Sequence, residues 1–146
     1  MEPLAIFNVG LSVQWHKILK YQSGQFKVFT NMHEDISELT LSPFVNLTAI
    51  EDVMRNSEAV ILSGYGMGNL PTSNERLMQL IVEAIARDVI VVIKTQCHHG
   101  SVSDVYATGR YMVNLGCILA QDMTTECLFA KLSYLLGKGY STDRIK

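Results

Sequence analysis

Hydrophobic and polar positions follow two different patterns along this chain. Residues 1–35 contain two strand-like fragments, AIFNVGLSVQWHKIL and QFKVFT, with a Ser-Gly pair between them and few helix signals. From residue 36 onward, short apolar runs alternate with stretches whose apolar residues recur every three or four positions, which is the spacing of one helix face. The pattern therefore predicts a strand-like lead-in over residues 1–35 and a regular domain over residues 36–146.

The regular part predicts strands and helices in alternation. The predicted strands cover residues 36–41, 59–63, 89–94 and 117–120, and the predicted helices begin near residues 45, 72, 106 and 124. Strict alternation implies a parallel sheet covered by helices, with right-handed crossovers. We therefore expect an α/β fold, a Rossmann-like three-layer domain with about four parallel strands and helices on both faces.

Helix ends are predicted from residues with capping chemistry. Thr72 with Glu75 fits a capping box, in which the hydroxyl accepts from a free amide and the carboxylate reaches back. Thr124 or Thr125 is expected to cap the last helix, which Gly137 ends. These positions predict where each helix meets the edge of the sheet.

In parallel sheets of this kind, ligands bind at the carboxyl ends of the strands. Three loops are predicted at that edge: residues 64–71, 95–104 and 121–124. The second of them belongs to the stretch KTQCHHGSVSDVYATG, which gathers a thiol, two imidazoles, a carboxylate and several hydroxyls. This edge is therefore the expected functional side of the domain.

The Cys-His-His run in that loop allows several interpretations. Cys97, His98 and His99 are consecutive, so their side chains diverge, whereas zinc sites use spaced pairs of ligands; we therefore expect no metal site. Cys97 as a nucleophile with a neighbouring histidine as base is one alternative, although such pairs seldom adjoin in sequence. The other is a strand-end cysteine packed into the core.

The glycine-rich stretch SGYGMGN follows a predicted strand, as a dinucleotide-binding loop would. Its spacing does not fit that motif, because Asn69 stands where the last glycine is needed and no acidic residue ends the next strand. The glycines also fit a tight turn with positive φ. Asn69 would then either bind a ligand or close an Asx-turn, and Tyr106 would either bind a ligand or pack.

Composition narrows the class of protein. The formal net charge is −2 and basic residues are scattered, so nothing indicates nucleic acid or an anionic membrane surface as a partner. No apolar run approaches the roughly 20 residues of a membrane span. The three cysteines are unpatterned, which fits reduced thiols in the cytoplasm.

Three motifs together resemble the C-terminal domain of cytosolic type I L-asparaginases. They are GYGMGNLPT, VIVVIKTQCHHGSVSDVYATG and GCILAQDMTTECLFAKLSYLLG, and the resemblance extends over residues 36–136. The family includes the asparaginase part of asparaginase/lysophospholipase proteins. The resemblance implies hydrolysis of L-asparagine to L-aspartate and ammonia, a cytoplasmic homodimer, and no cofactor.

The resemblance also implies that the attacking group lies outside this chain. In the family, the nucleophilic threonine belongs to a Gly-Gly-Thr motif in an N-terminal domain. This chain has no Gly-Gly pair, and its single Thr-Asp pair, Thr142-Asp143, lies at the wrong end and precedes an arginine. We therefore expect the N-terminal catalytic domain to be absent and the chain alone to be inactive.

The remaining site residues are expectations carried over from the same family. Its active sites lie between the N-terminal domain of one subunit and the C-terminal domain of its partner, which assigns substrate binding in trans to Tyr106 and Asn69. A bacterial effector site corresponds to Thr95 and Cys97, but Ser63 replaces the basic residue those members have. A stand-alone amino-acid-binding or regulatory module is the alternative function.

Overall fold

A computed structural model gives the fold and describes residues 3–21, 23–105 and 107–146. The strands are β1 (Ala5–Phe7), β2 (Leu11–Val13), β3 (Ile36–Thr40), β4 (Ala59–Gly64), β5 (Ile90–Thr95) and β6 (Ile118–Leu119). The helices are α1 (Leu47–Asn56), α2 (Glu75–Ala86), α3 (Ala107–Leu115), α4 (Thr125–Gly137) and α5 (Thr142–Ile145), with a 3-10 turn at Trp15–Lys17. None of the helices in the described part is long and apolar enough to cross a membrane.

The main sheet has four parallel strands in the order β3-β4-β5-β6, which confirms the predicted α/β fold. The central strand β4 is buried at all six positions, and β5 is buried at all but Lys94. Strands covered on both faces need apolar side chains in both directions. This is why the runs AVILS and VIVVIK carry almost no polar residues.

Helices cover both faces of this sheet. On one face, α1, α2 and α3 contribute Met54, Leu77 and Met112 to the larger core. On the other face, Leu128 and Leu132 of α4 pack on alternate residues of the same strands. Two helix layers around one sheet give the expected three-layer arrangement.

Helix α2 begins later than predicted, and the expected capping box is wrong. The N-cap is Asn74, whose side chain accepts from the Leu77 amide at 3.1 Å. Thr72 lies before the helix in a turn in which the Asn74 amide donates to the Pro71 carbonyl at 2.9 Å. Asparagine caps at least as well as threonine, so the helix begins after this turn.

The last long helix begins as predicted, because the Thr124 side chain caps α4 by accepting from the Cys127 amide at 3.3 Å. Helix α5 follows it and was not predicted. This single turn is attached to the rest of the domain by the Thr142 hydroxyl, which donates to the Asp88 carbonyl at 3.1 Å.

The lead-in is only partly strand. The strands β1 and β2 form an antiparallel hairpin separate from the main sheet. The second fragment, QFKVFT, is not a strand, so that prediction is wrong. Instead, Phe29 packs edge-on against Tyr134 of α4 at 5.7 Å, with Lys138 Nζ 3.5 Å from the Phe29 ring centre. A strand pattern needs a neighbouring strand, and here the nearest surface is a helix.

Candidate functional site

The carboxyl edge of the sheet brings the three predicted loops together. The Gln96 amide donates to the Gly64 carbonyl at 2.9 Å, which joins the first two loops at the end of β4 and β5. The Val102 amide donates to the Gln121 carbonyl at 2.8 Å, which joins the second loop to the third. The three loops therefore form one continuous surface.

The glycine-rich loop closes on itself. Tyr65 and Asn69 exchange two backbone hydrogen bonds of 2.8 Å, and both Gly66 (φ 49°) and Gly68 (φ 88°) lie in the left-handed region, which L side chains rarely adopt. The turn presents Asn69 at the surface, where its side-chain amide has no partner within the described part of the chain. Such an amide is available to bind a ligand or another chain.

Close packing fixes the position of the second loop. A Cβ on Gly68 would lie 2.7 Å from a methyl carbon of Val102, whose side chain is buried. A Cβ on Gly109 would lie 2.3 Å from the Ser103 carbonyl oxygen. These glycines allow the loop to lie against both the glycine-rich turn and the first turn of α3. Tyr106, the family-derived substrate-binding residue, follows this loop in the sequence and lies outside the described residues.

Two polar side chains at the end of β5 hold the edge together. Thr95 donates its hydroxyl to the Gly66 carbonyl and accepts from the Cys97 amide at 2.9 Å. Gln96 donates its side-chain amide to the carbonyls of Leu41 and Ser63, both at 2.7 Å. The sequence interpretation overlooked Gln96, whose only signal was its place directly after an apolar strand.

The Cys-His-His run points away from the core. Cys97, His98 and His99 are all exposed, so the expectation that Cys97 packs into the core is wrong. The chain leaves the sheet directly after Thr95, and the thiol therefore lies on the loop surface rather than under α4. These three side chains do not gather as metal ligands within the described residues.

A polar network lies beside this loop on the face that α4 covers. Ser63 donates to the Glu38 carboxylate at 2.6 Å, and Lys94 Nζ lies 3.2 Å from the Ser63 hydroxyl and 3.5 Å from that carboxylate. The three residues occupy neighbouring strands near their carboxyl ends. The Lys94 side chain is only 13% exposed, and the carboxylate compensates the cost of holding its charge there.

A cavity of about 240 Å³ opens next to this network. Its lining includes Lys94, Cys97, Thr124 and Glu126. The pKa of Glu126 is lowered, first by a hydrogen bond from its own backbone amide, then by the Thr124 hydroxyl and by the charge of Lys94. The lining of this cavity thus includes both an ammonium group and a carboxylate with a lowered pKa.

A wider cavity of about 860 Å³ lies on the outer side of β6, between the second loop and α3. Val102, Cys117 and Lys146 line it. Burial raises the pKa of Cys117 to about 12, against the smaller lowering effect of Lys146. This thiol is therefore protonated at neutral pH and unsuited to act as a nucleophile.

Comparison with known proteins gives consistent matches. A family model described as Glutaminase/Asparaginase C-terminal domain matches residues 35–146. L-asparaginase 1 of Escherichia coli K12 is 34% identical over 125 residues, or 84% of this chain and 37% of that protein. The 60 kDa lysophospholipase of Homo sapiens is 32% identical over 144 residues, or 97% of this chain and 25% of that protein.

A solved structure from the same family of enzymes also matches this chain. The crystal structure of L-asparaginase I from Vibrio cholerae has a TM-score of 0.86 and 33% identity, and the match covers 99% of this chain but 44% of that one. This chain therefore spans less than half of the length of each of the three proteins to which it is compared.

Proposed function

The chain belongs to the Glutaminase/Asparaginase C-terminal domain family, and on that basis we propose that it is the C-terminal domain of an amidohydrolase that converts L-asparagine to L-aspartate and ammonia. The reaction needs a threonine nucleophile that forms an acyl-enzyme and releases ammonia. This chain has no Gly-Gly-Thr motif, so the nucleophile belongs to another domain.

The observation that supports a role for this domain is the joined surface of three loops at the carboxyl edge of the sheet. Asn69 is exposed there, and its side-chain amide has no partner among the described residues. Gly109 brings the loop that leads to Tyr106 against α3. In the proposed enzyme this surface faces the active site of a partner subunit. Asn69 and Tyr106 help to position the substrate or close the site, and neither of them attacks it.

The lead-in supports contact with further protein. Phe7, Leu11 and Trp15 are 78%, 65% and 75% exposed, and they lie in or beside a two-stranded hairpin. An isolated hairpin is marginally stable in water, and contact with another protein surface would bury these exposed apolar side chains. We propose that the hairpin packs against the catalytic domain of the same enzyme, and that the assembled enzyme is a dimer.

An activity assay tests the division of labour. We expect the 146-residue chain alone to release no ammonia from L-asparagine at an enzymatic rate. We also expect activity from a chimera in which this chain replaces the matching region of E. coli L-asparaginase 1. Turnover by the lone chain, or a folded, dimeric chimera without activity, would contradict the proposal.

Single substitutions in that chimera test the two proposed binding residues. Tyr106→Phe and Asn69→Ala are expected to reduce kcat/KM by about 10- to 100-fold, because they remove positioning groups and leave the nucleophile in place. Asn114→Ala is the matched control, since Asn114 is an exposed amide on α3. Equal activity in all three variants would exclude both assignments.

The cavity beside Lys94 favours a second candidate function, an amino-acid-binding regulatory site. Lys94 and Glu126 offer the two charges that a zwitterionic amino acid needs, and Cys97 lines the same cavity. Thr95 contributes indirectly, because its hydroxyl is already engaged with Gly66 and Cys97. Calorimetry with L-asparagine and L-aspartate tests this function: binding that Lys94→Met abolishes and Lys131→Met preserves supports it, and no binding excludes it.

A further inference from the structure

Three side chains of the types that bind metals meet at the opposite, amino-terminal edge of the sheet. His33 Nε2 lies 3.2 Å from Glu58 Oε2 and 3.9 Å from Asp35 Oδ2. One ligand atom from each residue lies within 4.8 Å of the other two. The three come from the end of the lead-in and from the turn before β4, so no short sequence motif marks them.

The backbone around these residues is fixed by neighbouring elements. The His33 amide donates to the Ser133 carbonyl at 3.0 Å, and the Ser133 hydroxyl donates back to the His33 carbonyl at 2.6 Å. The Glu58 amide donates to the Asp35 carbonyl at 2.9 Å, and the Glu58 carbonyl accepts from Ile90 at 2.9 Å. Ligands held on rigid elements lose little entropy when they bind a metal.

The imidazole has an atom that its protein neighbours do not satisfy. His33 Nε2 is buried and has no hydrogen-bond partner among the described residues. Its contact with Glu58 is close enough for an ion pair but does not have the geometry of a hydrogen bond. Buried polar atoms normally have a partner, and an orphaned one calls for an explanation such as an ion.

We propose that His33, Asp35 and Glu58 bind a divalent transition metal such as zinc. Zinc accepts nitrogen and carboxylate ligands at about 2.0–2.2 Å, which puts neighbouring ligand atoms roughly 3.3 Å apart in a tetrahedral site. The 3.2 Å separation between His33 Nε2 and Glu58 Oε2 already fits this value, and the 3.9 Å separation between His33 Nε2 and Asp35 Oδ2 exceeds it by about 0.6 Å.

Charge and exposure agree with this ligand. Two carboxylates neutralise a divalent cation, and a neutral imidazole supplies the nitrogen that distinguishes zinc-like metals from calcium and magnesium. Asp35 and Glu58 side chains are 66% and 60% exposed, so water can occupy the remaining coordination position. The metal would bind the end of the lead-in to the start of β4, far along the strands from the carboxyl edge.

Cobalt and zinc titrations of the 146-residue chain test the site. We expect one Co²⁺ per chain, with visible absorption typical of low coordination number, and displacement of that Co²⁺ by Zn²⁺. His33→Gln and Glu58→Gln are each expected to weaken binding by at least about tenfold, as losses at metal sites do. Glu34→Gln is the matched control, because Glu34 is an exposed acid outside the cluster.

The exposed His98-His99 pair is the competing binder, so a His98→Gln/His99→Gln double variant is titrated in parallel. Unchanged affinity in that variant supports the proposed site, and affinity that disappears with the pair overturns it. Absence of stoichiometric binding at millimolar metal overturns it as well. Paramagnetic broadening of the His33 and Asp35 amides by Co²⁺ in the unmodified chain gives a readout that does not depend on any variant folding correctly.

Discussion

Replacing Gly109 with alanine should have two opposite effects on the free energy of unfolding. Gly109 is the third residue of α3, and a Cβ there would lie 2.3 Å from the Ser103 carbonyl oxygen and 3.2 Å from the Asp104 Cα. Alanine favours a helix over glycine by about 1 kcal/mol. The same methyl group collides with the loop that precedes the helix.

The collision is the larger effect. Ordinary contact with a Cβ begins near 3.4 Å, so the loop must retreat by 3.4 − 2.3 = 1.1 Å. The atoms nearest to the added Cβ belong to the backbone, which cannot move away by a change of rotamer as the end of a side chain can. Overpacking of this kind costs about 1–3 kcal/mol. Because this cost exceeds the gain in helix propensity, Gly109→Ala should lower the free energy of unfolding by about 1 kcal/mol.

Urea unfolding followed by far-ultraviolet circular dichroism measures this difference. Asn114→Ala on the same helix is the control, because Asn114 is exposed and its replacement should give a gain of up to roughly 0.7 kcal/mol from helix propensity alone. If Gly109→Ala stabilised the chain by about 1 kcal/mol, the loop would not rest on the helix. The packing argument for the position of the second loop would then be refuted.

Three further predictions concern single residues. Asn74→Ala should cost about 1 kcal/mol in urea unfolding because it removes the α2 cap, and Thr72→Ala should change stability by less than about 0.5 kcal/mol; the reverse order would restore the capping box. With a pKa of about 12, only about one Cys117 thiol in ten thousand is ionised at pH 8, so mass spectrometry after iodoacetamide should find the other two cysteines modified first, which equal labelling would contradict. Glu126 has a lowered pKa in the folded chain, so its carboxylate stabilises the fold fully above the unfolded pKa of 4.5, and this stabilisation is lost as the pH falls through the folded pKa. The difference in unfolding free energy between the unmodified chain and Glu126→Gln should therefore vanish in acid. A difference that stays constant with pH would exclude an ionic origin of the stabilisation.

The fold was predictable because strands buried on both faces form continuous apolar runs, and a helix buried on one face repeats its apolar residues at helical spacing. The strands β4 and β5 are apolar at almost every position, and α2 repeats its core residues at helical spacing. The pattern of apolar residues does not show, however, which element a segment packs against. QFKVFT has the composition of a strand, but Phe29 packs against α4, and no strand in the described part of the chain pairs with this segment.

The location of the candidate site could be predicted from the sequence, but the contacts that build it could not. The rule for parallel sheets located the three loops, and the family resemblance singled out Asn69 and Tyr106. Neither source indicated Gln96, which bonds to two carbonyls across the sheet edge, nor the exposure of Cys97. Such contacts depend on where separate loops meet, and a single sequence carries no distance between them.

Because of these contacts, we expect the loops at the carboxyl edge to move together. Gly68 lies against Val102, the Val102 amide is bonded to Gln121, and Gln121 lies three residues before the α4 cap, Thr124. Because Val102 is buried between the loops, a displacement of the glycine-rich turn cannot be absorbed by one side chain. It must reach the loop that leads to Tyr106 and the cavity beside α4 together. A ligand in that cavity and a substrate held at Asn69 would therefore act on the same set of packed atoms, which gives the proposed regulatory site a physical route to the proposed active site.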